Sequence, residues 1–144
     1  MPVAESGSAW IAWWGAGLST LLAIVKLFEL WQDRFRVEVS YNFTSSESIG
    51  NEVLIRNLSS RPLILTYWEL LYCSGRWPRR IFEPLQSANF DSGDHRLEPY
   101  ATRTLHFSDQ NYFSSEHKVL SGRRIFIRLH FAGRGPMLRL LYAQ

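Results

Sequence analysis

Asp91, Asp94, His95 and Glu98 bring three carboxylates and an imidazole into eight consecutive positions. Oxygen ligands of this kind suit a hard cation, but calcium takes about six to eight of them and this segment supplies few at defined spacing. Asp, Ser and Gly are also what a solvated turn requires, so the segment reads as a loop without a metal. His95, His106, His117 and His130 are spread along the second half of the chain. A zinc or catalytic site needs several such groups to converge, which spacing of this kind does not show. Cys73 is the only cysteine, which removes an internal disulfide and any zinc site built on paired cysteines. The chain has no glycine-rich phosphate loop, no Gly-x-Ser-x-Gly elbow, no His-Glu-x-x-His pair and no EF-hand loop. The expectation is therefore a protein that is not an enzyme and carries no cofactor. A hydrolase or metal enzyme assembled from scattered histidines and carboxylates is a third-ranked reading.

Basic residues offer a different chemistry. Arg76, Arg79 and Arg80 surround Trp77 in a turn, and Arg124 and Arg128, with His130, project from one face of a single strand. From His117 to the end, Lys118, Arg123, Arg124, Arg128, Arg134 and Arg139 meet no acidic residue. Anionic headgroups attract juxtamembrane basic residues at about 1 kcal/mol each, and a tryptophan among them can enter the interface. Another membrane protein is an equal candidate for this surface. Nucleic acid is disfavoured as a partner, although arginine rows with aromatic residues also suit phosphates and bases.

The element that makes a membrane relevant is at the N-terminus. No charge occurs between Ala9 and Val25, and apolar character continues through Trp31 past Lys26 and Glu29. A helix over 9–31 is about 34 Å long at about 1.5 Å per residue, enough for a hydrocarbon core of about 30 Å. Trp10, Trp13 and Trp14 at one end and Phe28 with Trp31 at the other form aromatic belts at the two headgroup levels. A cleaved signal is disfavoured, because no Lys or Arg precedes Ala9 and no small-residue cleavage site follows Val25. Lys26, Arg34 and Arg36 flank the far end while residues 1–8 hold only Glu5, so the C-terminal domain is expected to face the cytoplasm. The sequons Asn42-Phe-Thr and Asn57-Leu-Ser carry little weight against that orientation. Gly15, Ser19 and Ala23 recur every fourth residue on one face, which predicts a homo-oligomer through close helix contact.

Residues 32–144 read as strands. Period-two alternation marks 37–43, 53–55, 102–107 and 125–131, and 137–142 closes a hairpin after the turn Ala132-Gly-Arg-Gly-Pro136. The run Leu63 to Tyr72 follows Pro62 directly and predicts a central strand. Residues 83–93 look like a long loop with at most one short strand, and 115–120 like a helical turn or two. The expected architecture is a short tail over 1–8, a transmembrane helix over 9–31, and a mainly β domain over 32–144. That domain is expected to be an immunoglobulin-like β-sandwich or a small barrel. The expected role is a membrane-anchored binding or assembly module, with an oligomeric effector or accessory subunit acting through the helix as the runner-up.

Overall fold

The computed structural model describes residues 5–32, 34–89 and 93–143. The chain divides into two compact units, Met1–Phe35 and Arg36–Gln144. Asp91, one of the four candidate cation ligands, lies outside the described residues.

The first unit is one helix, α1 (Glu5–Gln32). It contains no proline, and its 23 residues from Ala9 to Trp31 are long and apolar enough to cross a bilayer, with none of that stretch buried. A signal sequence passes the same test of length and composition. An apolar surface on all sides is unfavourable in water and needs a covering.

The second unit is mainly β, with eight strands: β1 (Val37–Asn42), β2 (Asn51–Asn57), β3 (Leu63–Ser74), β4 (Ile81–Ser87), β5 (His95–Leu97), β6 (Thr102–Phe107), β7 (Arg124–Phe131) and β8 (Met137–Tyr142). A single turn of helix, α2 (His117–Leu120), precedes β7. Two antiparallel sheets form, β1-β2-β6 and β4-β3-β7-β8, with β5 pairing to β3 beyond the end of β4. The inner faces follow the predicted alternation. Val53 and Ile55 of β2 and Leu105 and Phe107 of β6 face Leu70 of β3 and Ile125, Ile127 and Leu129 of β7, all of them buried.

The arrangement is a sandwich, which corrects the small-barrel alternative. No described strand pair joins one sheet to the other. On one side the sheets meet through side chains only, where Tyr41 of β1 stands edge-on to Tyr142 of β8 with ring centroids 5.8 Å apart. On the other side β6 and β4 diverge. Aromatic contacts cross the interior between these two sides. Phe43 touches Tyr142 at 6.0 Å and Phe113 at 5.3 Å, Phe113 touches Phe107 at 5.4 Å, and Phe107 touches Trp68 at 5.5 Å.

The segment 83–93, expected to be a loop with at most one short strand, contains the end of one strand, which starts earlier, at Ile81. β4 occupies Ile81–Ser87 despite Pro84, because proline is tolerated on an edge strand and β4 itself bulges there: Leu70 pairs with Gln86 and Leu71 with Pro84, which leaves Leu85 unopposed.

The domain has two poles. Pairing of Val37 with Asn57 places the arriving chain beside the turns 58–62 and 98–101. The opposite pole holds the β3–β4 turn, and since Cys73 pairs with Arg124 and Ile125 with Tyr142, β7 starts and β8 ends there. The twelve residues of β3 separate the poles by about 40 Å at about 3.3 Å per residue.

Candidate functional site

The predicted basic surface assembles at the far pole. Gly75 opens the β3–β4 turn with φ at 80°, and a Cβ there would lie 2.4 Å from the carbonyl oxygen of Arg79, so the chain doubles back tightly. Arg76, Trp77, Arg79 and Arg80 are all exposed on this turn, Trp77 to 78%. Arg124 joins them from β7, donating from Nη2 to the Gly75 carbonyl at 2.7 Å. Its guanidinium lies 5.9 Å from the Phe126 ring centre. Ile81, 63% exposed, adds apolar surface beside the turn.

Arg128 belongs to a different environment. Its Nη1 donates to Glu69 Oε1 at 2.5 Å, and its guanidinium sits 6.0 Å from the Phe82 ring centre. It covers a small cluster on the outer face of the larger sheet, where Leu71, Cys73 and Phe126 are buried and Phe82 and Leu138 pack against them. Same-face alternation correctly aligns Arg124 with Arg128, but the Glu69 carboxylate compensates the charge of Arg128. Arg123 is likewise paired, with Glu83 at 3.1 Å, and stands 5.7 Å from the Tyr72 ring centre. Burial pushes the Tyr72 phenol above its ordinary value, and the Arg123 charge partly opposes this.

The second place of interest is the open side between β6 and β4, a cleft of about 250 Å³ lined by residues that include Trp68, Gln86, His95, Arg103, His106 and Asn111. Arg103 follows the inward phase of Leu105 and Phe107 and is partly buried. Its Nη2 lies 3.1 Å from His95 Nε2, and because a guanidinium only donates, a hydrogen bond there uses His95 Nε2 as the acceptor. Arg103 Nε is buried with no hydrogen-bond partner. An unsatisfied buried donor costs about 1–3 kcal/mol. His106 points to the outer face of its sheet, with Nδ1 3.6 Å from Glu52.

The histidines do not converge on a common centre. His95 reaches the cleft, His106 borders it with its ring turned to Glu52 on the outer face, His117 lies in α2, and the His130 ring stands 5.6 Å from that of Tyr67. Among the described residues no three His, Cys, Asp or Glu side chains are placed to hold a metal. Asp94 and Glu98 of the acidic loop separate, with Glu98 paired to Arg96 at 2.7 Å.

On α1, Trp10 and Trp14 contact each other at 6.2 Å and Phe28 and Trp31 at 6.4 Å, one ring pair near each end. Trp10 and Trp31 are about 31 Å apart at about 1.5 Å per residue, close to a hydrocarbon thickness of about 30 Å. Trp13 is exposed between the first pair, and Gly15, Ser19 and Ala23 are exposed along one side. Lys26 and Glu29 pair at 2.8 Å, which keeps these two charges together near the helix end.

Three residues that the reading of motifs passed over carry much of this geometry. Asn51 and Asn57 occupy inward positions at the two ends of β2, and Arg103 an inward position on β6. Each breaks a period-two apolar pattern with a polar side chain in the buried phase, and that is the sequence signal that marks them. No protein-family model matches the chain, and no curated protein matches it.

Proposed function

We propose that this chain is a single-pass membrane protein whose helix α1 anchors an immunoglobulin-like sandwich at the cytoplasmic face of the membrane. There the sandwich serves as a binding or assembly module without catalytic activity. The immunoglobulin-like reading rests on strand order: β1-β2-β6 and β4-β3-β7-β8 correspond to A-B-E and C′-C-F-G. The anchor reading rests on the wholly exposed 23-residue apolar stretch with its terminal ring pairs. Retention of the helix and its orientation rest on the charges, with none but Glu5 in residues 1–8 and Lys26, Arg34 and Arg36 at the other end.

The observation that carries the binding role is the far-pole turn, where an exposed tryptophan stands among Arg76, Arg79, Arg80 and Arg124. Trp and Arg are the residue types that most often dominate binding energy at interfaces. The turn lies about 40 Å along β3 from the pole where the chain arrives, by about 3.3 Å per residue. An acidic surface on another membrane-associated protein is one ligand of matching charge. Anionic lipid is the ligand if the domain lies flat.

Fractionation with alkaline carbonate extraction, combined with protease access to a tag in intact and opened cells, tests the anchor. Retention with cleavage only after opening supports it, and release as a soluble species overturns it. Crosslinking through Trp77 replaced by a photoreactive residue tests the turn. A protein adduct lost in Arg79→Ala/Arg80→Ala supports the binding role, a lipid adduct selects the flat orientation, and no adduct overturns it.

A second reading, an oligomeric effector or accessory subunit acting in the membrane, is favoured by the exposed Gly15, Ser19 and Ala23 face. Crosslinking that finds only monomers in the membrane removes it.

A further inference from the structure

We propose that the cleft between β4 and β6 is a binding site for a small molecule carrying one oxyanion group, a carboxylate or a phosphate, on a single flat ring. The inference is independent of the membrane reading. Arg103 supplies its centre. An arginine directed into a sandwich is ordinarily matched by a carboxylate, but among the described residues the side chain that meets this guanidinium is the His95 imidazole, at 3.1 Å. Among the described residues Arg103 takes part in no ion pair, so its charge is left unmatched at the wall of an open cavity, while its Nε is buried without a partner. A guanidinium holds a planar oxyanion through two parallel N–H bonds, which a point charge cannot do.

The surroundings define the rest of the ligand. Trp68 gives the cleft aromatic surface over the buried Leu105 and Phe107, and most of the remaining lining is polar, with Gln86, His95 and Asn111 among it. Gln86 Nε2 donates to the Asn111 backbone carbonyl at a long 3.5 Å. Trp68 is fixed edge-on against Phe107, with interplanar angle 82°, so its position is set by the core and not by solvent. A cleft of about 250 Å³ equals roughly eight water volumes at about 30 Å³ each, room for a single ring with an acidic substituent. Hydrogen bonds to a ligand oxyanion would also satisfy the guanidinium that the fold leaves short of acceptors.

The test uses the full chain in detergent micelles and two-dimensional NMR, with benzoate, phenyl phosphate, inorganic phosphate and the neutral isostere benzyl alcohol as probes. The expected result is saturable shifts at Trp68 Nε1–H and at the His95 ring with benzoate or phenyl phosphate. Which of the two binds more tightly identifies the head group. Inorganic phosphate is expected to bind more weakly and benzyl alcohol not to saturate. Arg103→Gln is expected to lower affinity by at least about tenfold, and Arg103→Lys, which keeps the charge and loses the fork, by an intermediate factor. If Arg103→Gln does not fold, the comparison rests on Arg103→Lys. Absence of saturation by both anions, equal binding of benzyl alcohol, or unchanged affinity in the folded arginine variant would each overturn the proposal.

Discussion

Asn51 and Asn57 mark the two ends of β2 on its inward face, both without exposed surface, and each ties its own pole of the sandwich together. Asn51 accepts from the Thr44 N–H and donates to the Phe113 carbonyl, joining the loop after β1 to the loop before β7. Asn57 donates to the carbonyls of Arg61, Leu97 and Glu98 and accepts from the Ser59 N–H and hydroxyl. Asn57→Ala leaves several buried groups unsatisfied at once and is expected to cost about 3 kcal/mol, read as a lower urea midpoint at unchanged slope. The same burial closes the Asn57-Leu-Ser sequon to modification in the folded domain. Glycan attached to Asn57 in folded protein would contradict this network.

Gly75 and Gly133 both adopt positive φ, but only at Gly75 would a Cβ strike backbone. Gly133→Ala is expected to cost about 1 kcal/mol from its backbone angle alone, and Gly75→Ala clearly more because the turn must open. Thermal melts of the two variants side by side check the difference. Equal shifts would mean that the turn relaxes freely.

The Glu69–Arg128 pair is half-shielded on the outer sheet face, so removing one partner strands the other. Glu69→Gln is expected to destabilise by about 1–2 kcal/mol, and Glu69→Gln/Arg128→Met by less than the sum of the single variants. A double-mutant cycle in urea measures the coupling. Strict additivity would show that the contact contributes no stability.

Tyr72 sets an alkaline limit. Its folded-state value is raised by burial, so the folded domain holds the phenolic proton more tightly than the unfolded chain. Stability from this group is therefore intact below the ordinary value of about 10 and declines as pH rises through the raised one. Tyr72→Phe is expected to flatten the loss of stability above about pH 10 relative to wild type. Parallel denaturation curves at alkaline pH provide the check, and identical pH profiles would contradict it.

Leu21 lies near the middle of the apolar stretch of α1. Leu21→Arg places a charge where bilayer insertion costs about 3 kcal/mol, and the carbonate-resistant fraction is expected to fall sharply. Tyr100→Arg, an exposed change in the domain, is expected to leave it unchanged. Equal retention of both variants would mean that the domain, and not the helix, holds the chain at the membrane.

Local pattern carried most of the architecture. The strands with period-two alternation, the hairpin at 132–136 and the central run from Leu63 appear where the residues predict them. Segment 83–93 reads as a loop with at most one short strand, and β4 is that strand, its start at Ile81 and its extent obscured because Pro84 and the bulge at Leu85 break its period-two pattern. The distinction between sandwich and barrel was hidden, since it depends on which edges stay apart. At the candidate sites, alternation placed Arg124 and Arg128 on one face, but only the fold revealed that Gly75 recruits one and Glu69 neutralises the other. The cleft was illegible because its members come from four strands and two loops.

The last strand runs towards the pole that bears Trp77. Any reporter, purification handle or fusion partner appended after Gln144 would therefore emerge beside the arginine turn, where a folded cargo can shield it or an acidic epitope can occupy it. A localisation experiment tolerates this. An interaction screen does not, and bait carrying its handle ahead of α1 would leave that surface open.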